Sequence, residues 1–200
     1  MHEAAVLADA ALAAIERGVL SVTSELVARG NKIFGGAVLR DADLSLVVAG
    51  SNEEIECPLW HGEISTIRRF YEMAAASRPV PAECVFVSTH EPCAMCLSAI
   101  AWAGFPRIIY LFDYRQTSAD FDIPHDLDML AEVFGCSDGA YARENAYWRS
   151  ESIGELIDAC SAEDGAVLRQ RVDSLTEVYR RLSAIYQSTK RSQQGTIPLP

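Results

Sequence analysis

Two short segments, His61-Gly62-Glu63 and Pro92-Cys93-Ala94-Met95-Cys96, constrain this chain more than anything else in it. Each stands where a stretch of helical periodicity begins. Cys93 and Cys96 are i and i+3, so their sulfurs project from one side of a first helical turn. His61 opens a separate helix that can pack beside that turn. Two thiolates and one imidazole at a single point make a three-ligand site with an open fourth position. Catalytic zinc uses that arrangement, whereas structural zinc closes its shell with a fourth protein ligand. The fold must therefore set two helix starts side by side.

The remaining pattern supplies such a fold. Residues 3–28 repeat apolar positions at close to 3.6, the mark of an amphipathic helix, with a break expected near Gly18. The period then changes: Gly35–Arg40, a turn at Asp41-Ala42-Asp43, and Leu44–Ala49 read as a β-hairpin. Helical spacing resumes from Gly62 and is stopped at Arg78-Pro79. Cys84–Thr89 is a buried-strand run, Pro92 opens a helix over 93–103, and Arg107–Phe112 is the next strand. A hairpin followed by helix, strand, helix and strand is an α/β pattern. A helix is expected over 126–134, with shorter ones over 152–160 and 165–187. We read residues 1–135 as the core and 136–200 as a C-terminal helical extension packed on it.

Charge and cysteine usage narrow the function. With half its residues hydrophobic, the chain can bury a core, and its net charge of −11 disfavours a phosphate backbone as partner. A locally basic stretch, Arg169, Arg171, Arg180, Arg181, Lys190 and Arg191, reads as a solvated helix face. Six cysteines in 200 residues are too few for a disulfide scaffold, and no secretory leader or spanning run is visible. The expectation is a cytoplasmic protein with reduced thiols and no membrane association.

Glu63 stands two places from a ligand, too close to wrap onto the same metal yet able to face it. A carboxylate there can take a proton from zinc-bound water and hand it on. The pattern His-x-Glu…Pro-Cys-x-x-Cys is the recorded signature of zinc deaminases. Segment 34–112 resembles the cytidine deaminase-like superfamily, in the cytidine and deoxycytidylate deaminase branch that includes free-base and tRNA deaminases. The resemblance implies a three-layer α/β/α sandwich with a central mixed sheet, a homodimer, zinc on His61, Cys93 and Cys96, and Glu63 as proton shuttle. It implies that Asn52 hydrogen-bonds the substrate base.

Other candidates come from the residues themselves. Phe34 and Trp102 are aromatic platforms or core residues, and Tyr114 is similar. Asp113 and Asp120 follow the last clear strand at the end where open α/β sheets bind ligands. His90 and His125 read as a structural histidine and a surface histidine. His61–Thr66 is similar to the fungal cytosine deaminase version of the first motif, and Met95–Ala103 to the bacterial guanine deaminase version of the second. The expected activity is hydrolytic deamination of a small aminated heterocycle, guanine ahead of cytosine. Other readings stay open: a tRNA adenosine deaminase, a thioredoxin-like redox pair, or a non-catalytic zinc-stabilised interaction domain with Cys57 or Cys84 as fourth ligand.

Overall fold

The computed structural model describes residues 2–190. α1 (Ala4–Ala14) continues through one π turn (Ile15–Val19) into α2 (Leu20–Ala28). The hairpin β1 (Gly35–Arg40) and β2 (Leu46–Ser51) follows, then α3 (Gly62–Glu72), β3 (Cys84–His90), α4 (Ala94–Trp102) and β4 (Arg107–Phe112). Beyond these lie α5 (Tyr114–Phe121), α6 (His125–Phe134), β5 (Arg149–Ser152), α7 (Ile153–Asp158) and α8 (Ala162–Lys190). The expected break at Gly18 is a π turn within a continuous rod, and a Cβ there would sit 2.9 Å from the Leu46 side chain of β2.

The strands form one sheet in the order β2-β1-β3-β4-β5. β1 runs antiparallel to β2 and β3, while β3, β4 and β5 are parallel, so the sheet is mixed. Side chains alternate between its two faces. Val38, Phe86 and Ile108 pack with Phe70 of α3 and Leu97 and Ile100 of α4. Ala37, Leu39, Val85, Val87, Ile109 and Leu111 pack with the helices on the other face, α1, α2, α7 and α8. The expected three-layer sandwich with a mixed central sheet is what the chain adopts.

Two elements depart from what the periodicity gives. β5 reads Arg-Ser-Glu-Ser, with no apolar alternation, and is a strand because its backbone completes the ladder beside β4. α8 is one helix of 29 residues rather than the shorter stretch that its spacing suggests. Three of its basic residues, partly exposed on the solvent side, pair with acids of other elements. Arg171 binds Glu16 at 2.9 Å and Asp9 at 2.5 Å, Arg169 binds Asp158 at 2.9 Å, and Arg180 binds Asp120 at 3.1 Å. Arg191 lies outside the described residues. Among the described residues no helix is long and apolar enough to cross a membrane.

Candidate metal centre and adjoining cavity

The first turn of α3 lies directly on β1. A Cβ at Gly62 would stand 2.6 Å from both the Gly35 Cα and the Phe34 carbonyl oxygen, so only a hydrogen fits. His61 is the N-cap of α3 and Cys93 the N-cap of α4, both with extended ψ values of 162° and 168°. Each side chain thereby leaves its helix at the end where backbone N–H groups and the helix dipole are positive.

His61 Nδ1 is 3.6 Å from Cys93 Sγ and 3.7 Å from Cys96 Sγ. With Zn–N near 2.05 Å and Zn–S near 2.3 Å, a tetrahedral edge between nitrogen and sulfur measures about 3.6 Å. The trio therefore fits zinc as it stands. The three donor atoms all lie within 4.8 Å of one another, and no fourth His, Cys, Asp or Glu joins them among the described residues. Cys84 instead donates its thiol to the Val80 carbonyl at 3.5 Å, and Cys57 is outside the group. The open fourth position is the catalytic pattern rather than the closed structural one.

Glu63, fully buried, lies beside this trio. Ser88 Oγ donates to its Oε1 at 3.0 Å, while Oε2 is buried with no partner. A buried carboxylate oxygen left unpaired is costly, and a proton-bearing group placed there removes the cost. Burial first, and then the negative Cys93 sulfur, push the Glu63 carboxyl up to about 7.

The sulfurs and the imidazole perturb one another as bare protein groups. Burial opposes a charge on His61, but the hydrogen bond and negative charge of Cys93 overcome it and raise the imidazole to about 9. Cys93 is held well below the thiol range by its hydrogen bond from Cys96 and by His61, against burial. Burial drives Cys96 the other way.

A cavity of about 320 Å³ opens onto His61, Gly62 and Cys93. That is at the small end for ligand sites and suits one small molecule. Phe34 and Asn52 line it. The Asn52 carbonyl oxygen accepts from the backbone N–H groups of Lys32 (3.3 Å) and Glu54 (3.0 Å), so its amide group is the part left to donate. Phe34 stacks on His90, ring centroids 3.8 Å apart at 19°. His90 lines the cavity with Nε2 3.7 Å from Glu63 Oε1 and 4.0 Å from Asp126 Oδ2, and its Nδ1 is buried without a partner. Burial and the nearby His61 keep His90 neutral, well below the usual imidazole range.

Two expected residues do not reach the cavity. Trp102 is 91% exposed at the far end of α4. It lies six residues past Cys96, about 240° around a helix turning 100° per residue, and so faces elsewhere. Asp113 caps α5, accepting from Gln116 N at 2.7 Å in a reciprocal capping box. Tyr114 is core, its hydroxyl donating to the Pro92 carbonyl at 2.5 Å. Asp120 is held by Arg180. His125, expected on the surface, lines the cavity beside Asp126. Asp126, in the first turn of α6, was not singled out by the sequence. Burial, then the Cys93 charge, raise its carboxyl to about 7. Lys32 and Glu54 are likewise new, an ion pair at 3.1 Å in the cavity wall.

Residues 4–112 match the model of the cytidine and deoxycytidylate deaminase zinc-binding region. The chain belongs to that family. A curated relative, the guanine deaminase of Bacillus subtilis (strain 168), is 29% identical over 105 residues, 50% of this chain and 65% of the relative. The match thus spans just under two thirds of that protein's length. Among solved structures, a guanine deaminase from Nitrosomonas europaea is 22% identical with a TM-score of 0.48, covering 78% of this chain and 81% of its own. The B. subtilis enzyme's structure is 22% identical with a TM-score of 0.45, covering 64% and 76%.

Proposed function

We propose that this family member is a zinc-dependent hydrolytic deaminase of a free purine or pyrimidine base, guanine ahead of cytosine, converting C–NH2 to C=O with release of ammonia. The observation that carries the reading is the unpartnered, buried Glu63 Oε2 beside a three-ligand metal trio at a small cavity. Zinc bound by His61, Cys93 and Cys96 would act as a Lewis acid and lower the pKa of a coordinated water to about 7. Glu63 takes a proton from water and delivers it to the ring nitrogen next to the amino-bearing carbon. It then carries a proton to the departing amine. Ser88 holds Oε1 so that Oε2 does this work. Phe34, flat against His90, offers a ring face to the base, and the Asn52 amide donates to a ring acceptor.

Charge supports a free base or nucleoside over a nucleotide or tRNA. The permanent cation in the cavity wall, Lys32, is already paired with Glu54, and the arginines of α8 are held by acids of the chain. The likeness of Met95–Ala103 to the guanine deaminase motif favours guanine, and the similar B. subtilis protein is a guanine deaminase. The same reading carries a cytoplasmic homodimer.

The test is ammonia release from guanine, cytosine, adenine and their nucleosides by zinc-loaded protein, run beside Glu63→Ala. Turnover of one ring by the parent alone is expected. Silence across the panel with zinc bound, or near-parental turnover by Glu63→Ala, overturns the reading.

A further inference from the structure

The turn that brings the first thiolate to the metal centre is held by a residue far along the chain. Residues 90–93 run from the end of β3 to the N-cap of α4. The Glu91 N–H donates to the Phe112 carbonyl at the end of β4 at 2.7 Å, and the Tyr114 hydroxyl donates to the Pro92 carbonyl. The Glu91 side chain is only 1% exposed. Arg143 Nε and Nη2 both donate to its Oε1, at 3.0 and 2.8 Å, and the Tyr114 N–H donates to Oε2 at 3.3 Å. The Tyr141 hydroxyl stands beside the same carboxylate.

Arg143 is itself fixed. Its carbonyl accepts from the Ser150 N–H of β5 at 2.7 Å. Asn145 closes the turn between them, its Oδ1 accepting from the N–H groups of Tyr147 (2.8 Å) and Trp148 (3.2 Å). β4 thus stands between the strand that carries the metal turn and the strand that carries its cation. An arginine clamped on a buried acid adds little net stability, because desolvation offsets most of the attraction. What such a pair fixes is a position. Pro92, the one residue between Glu91 and Cys93, has its φ locked at about −65°, so a displacement at Glu91 is passed on to Cys93 rather than absorbed. We infer that Arg143 is a positioning residue of the metal centre: by holding Glu91 it sets where the Cys93 sulfur stands relative to His61 and Cys96. Residues 136–148 then belong to the scaffold of the metal centre, although they lie beyond the 4–112 segment that matches the family model. The inference rests on the deaminase reading only for its effect on turnover.

Arg143→Met alone leaves the Glu91 charge buried without its cation and threatens folding. The informative variant is Arg143→Met with Glu91→Gln, which removes both charges. Groups that orient metal ligands cost about 10–100-fold in metal affinity or activity when changed. The double variant should therefore bind zinc about 10–100-fold more weakly, by competition with a chromophoric chelator, while its metal-free form melts near the parent's Tm. With cobalt(II) in place of zinc, the thiolate-to-cobalt and d–d absorption bands should shift, since they report how the sulfurs are placed. At saturating zinc, kcat should fall with KM little changed. Arg143→Lys keeps the cation and guards against loss of the fold. With one mobile ammonium in place of two fixed donors, it should shift the cobalt bands and give an intermediate zinc constant. The control is Arg171→Met with Glu16→Gln, an ion pair in the helical layer on the other face of the sheet, which should leave zinc affinity and cobalt bands as in the parent.

Parental zinc affinity and cobalt bands in whichever of the two Arg143 variants folds overturn the inference, as does a control that loses zinc to the same extent. If no ring releases ammonia but the Arg143 variants still loosen the metal, the deaminase reading fails while the positioning role stands.

Discussion

Gly62 is the point where fold and chemistry can be tested with a single methyl group. It separates His61 from Glu63 and presses the start of α3 onto β1. A Cβ there would lie 2.6 Å from Gly35 Cα and from Phe34 O, where ordinary contact begins at 3.4 Å. Neither neighbour is the end of a flexible side chain, so Gly62→Ala must drive the first turn of α3 back by about 0.8 Å. Catalytic groups tolerate displacements of about 0.5 Å, and an error near 1 Å costs about 10²-fold in rate. Overpacking of this kind destabilises by about 1–3 kcal/mol, and a domain of this size loses about 2–4 °C per kcal/mol. The variant should therefore fold, melt about 2–12 °C lower and lose at least about 10²-fold in kcat/KM for ammonia release. Gly154→Ala is the control, since its Cβ would meet only Ser152 Oγ, at 3.6 Å. Differential scanning calorimetry, zinc analysis and steady-state kinetics on the three proteins decide the matter. A Gly62→Ala protein within about threefold of parental kcat/KM and with an unchanged Tm would refute the close-contact reasoning.

Two further outcomes follow from the site. Saturating zinc at about 1,000 times its dissociation constant adds about 4 kcal/mol to the folded state, so chelation should lower Tm by about 8–16 °C. Cys96→Ser should abolish that zinc-dependent shift, and a shift that persists in it excludes Cys96 as a ligand. In chelated protein, Asp126 has a folded carboxyl raised from 3.8 to about 7. A raised acid favours the folded state fully below its unfolded value and loses that contribution as pH rises toward the folded one. Chelated parent should accordingly lose Tm between pH 4 and 7, and Asp126→Asn should lose less over the same window, as a pH series of melts would record.

The zinc trio was legible because helix geometry converts i, i+3 spacing into a shared face without help from the rest of the chain. Asn52 was drawn from the family resemblance and Phe34 from its aromatic ring, and both line the cavity. What the sequence hid depends on contacts between distant segments. Glu54 looks like one more surface acid in an acidic chain, and only the Asn52 clamp on Lys32 and Glu54 turns it into the wall. Asp126 reads as an ordinary first-turn helix acid until α6 is laid across the cavity. Trp102 shows the opposite error: an aromatic on the metal-bearing helix whose angular position takes it away from the site. The capping box at Asp113 and Gln116 was a local signal that could have identified Asp113 as a structural residue. β5 had no local signal, because an edge strand of Arg, Ser and Glu is specified by its neighbour's backbone.

The Tyr186 hydroxyl of α8 lies behind the Glu54 carboxylate in the cavity wall, and this placement has a consequence for the order of events during synthesis. Cys96 completes the metal-binding trio 90 residues before Tyr186 is added to the chain. At about 5–20 residues per second, the ribosome takes about 5–20 s to travel from one to the other. The metal trio can therefore gather before the helix that backs the cavity wall exists.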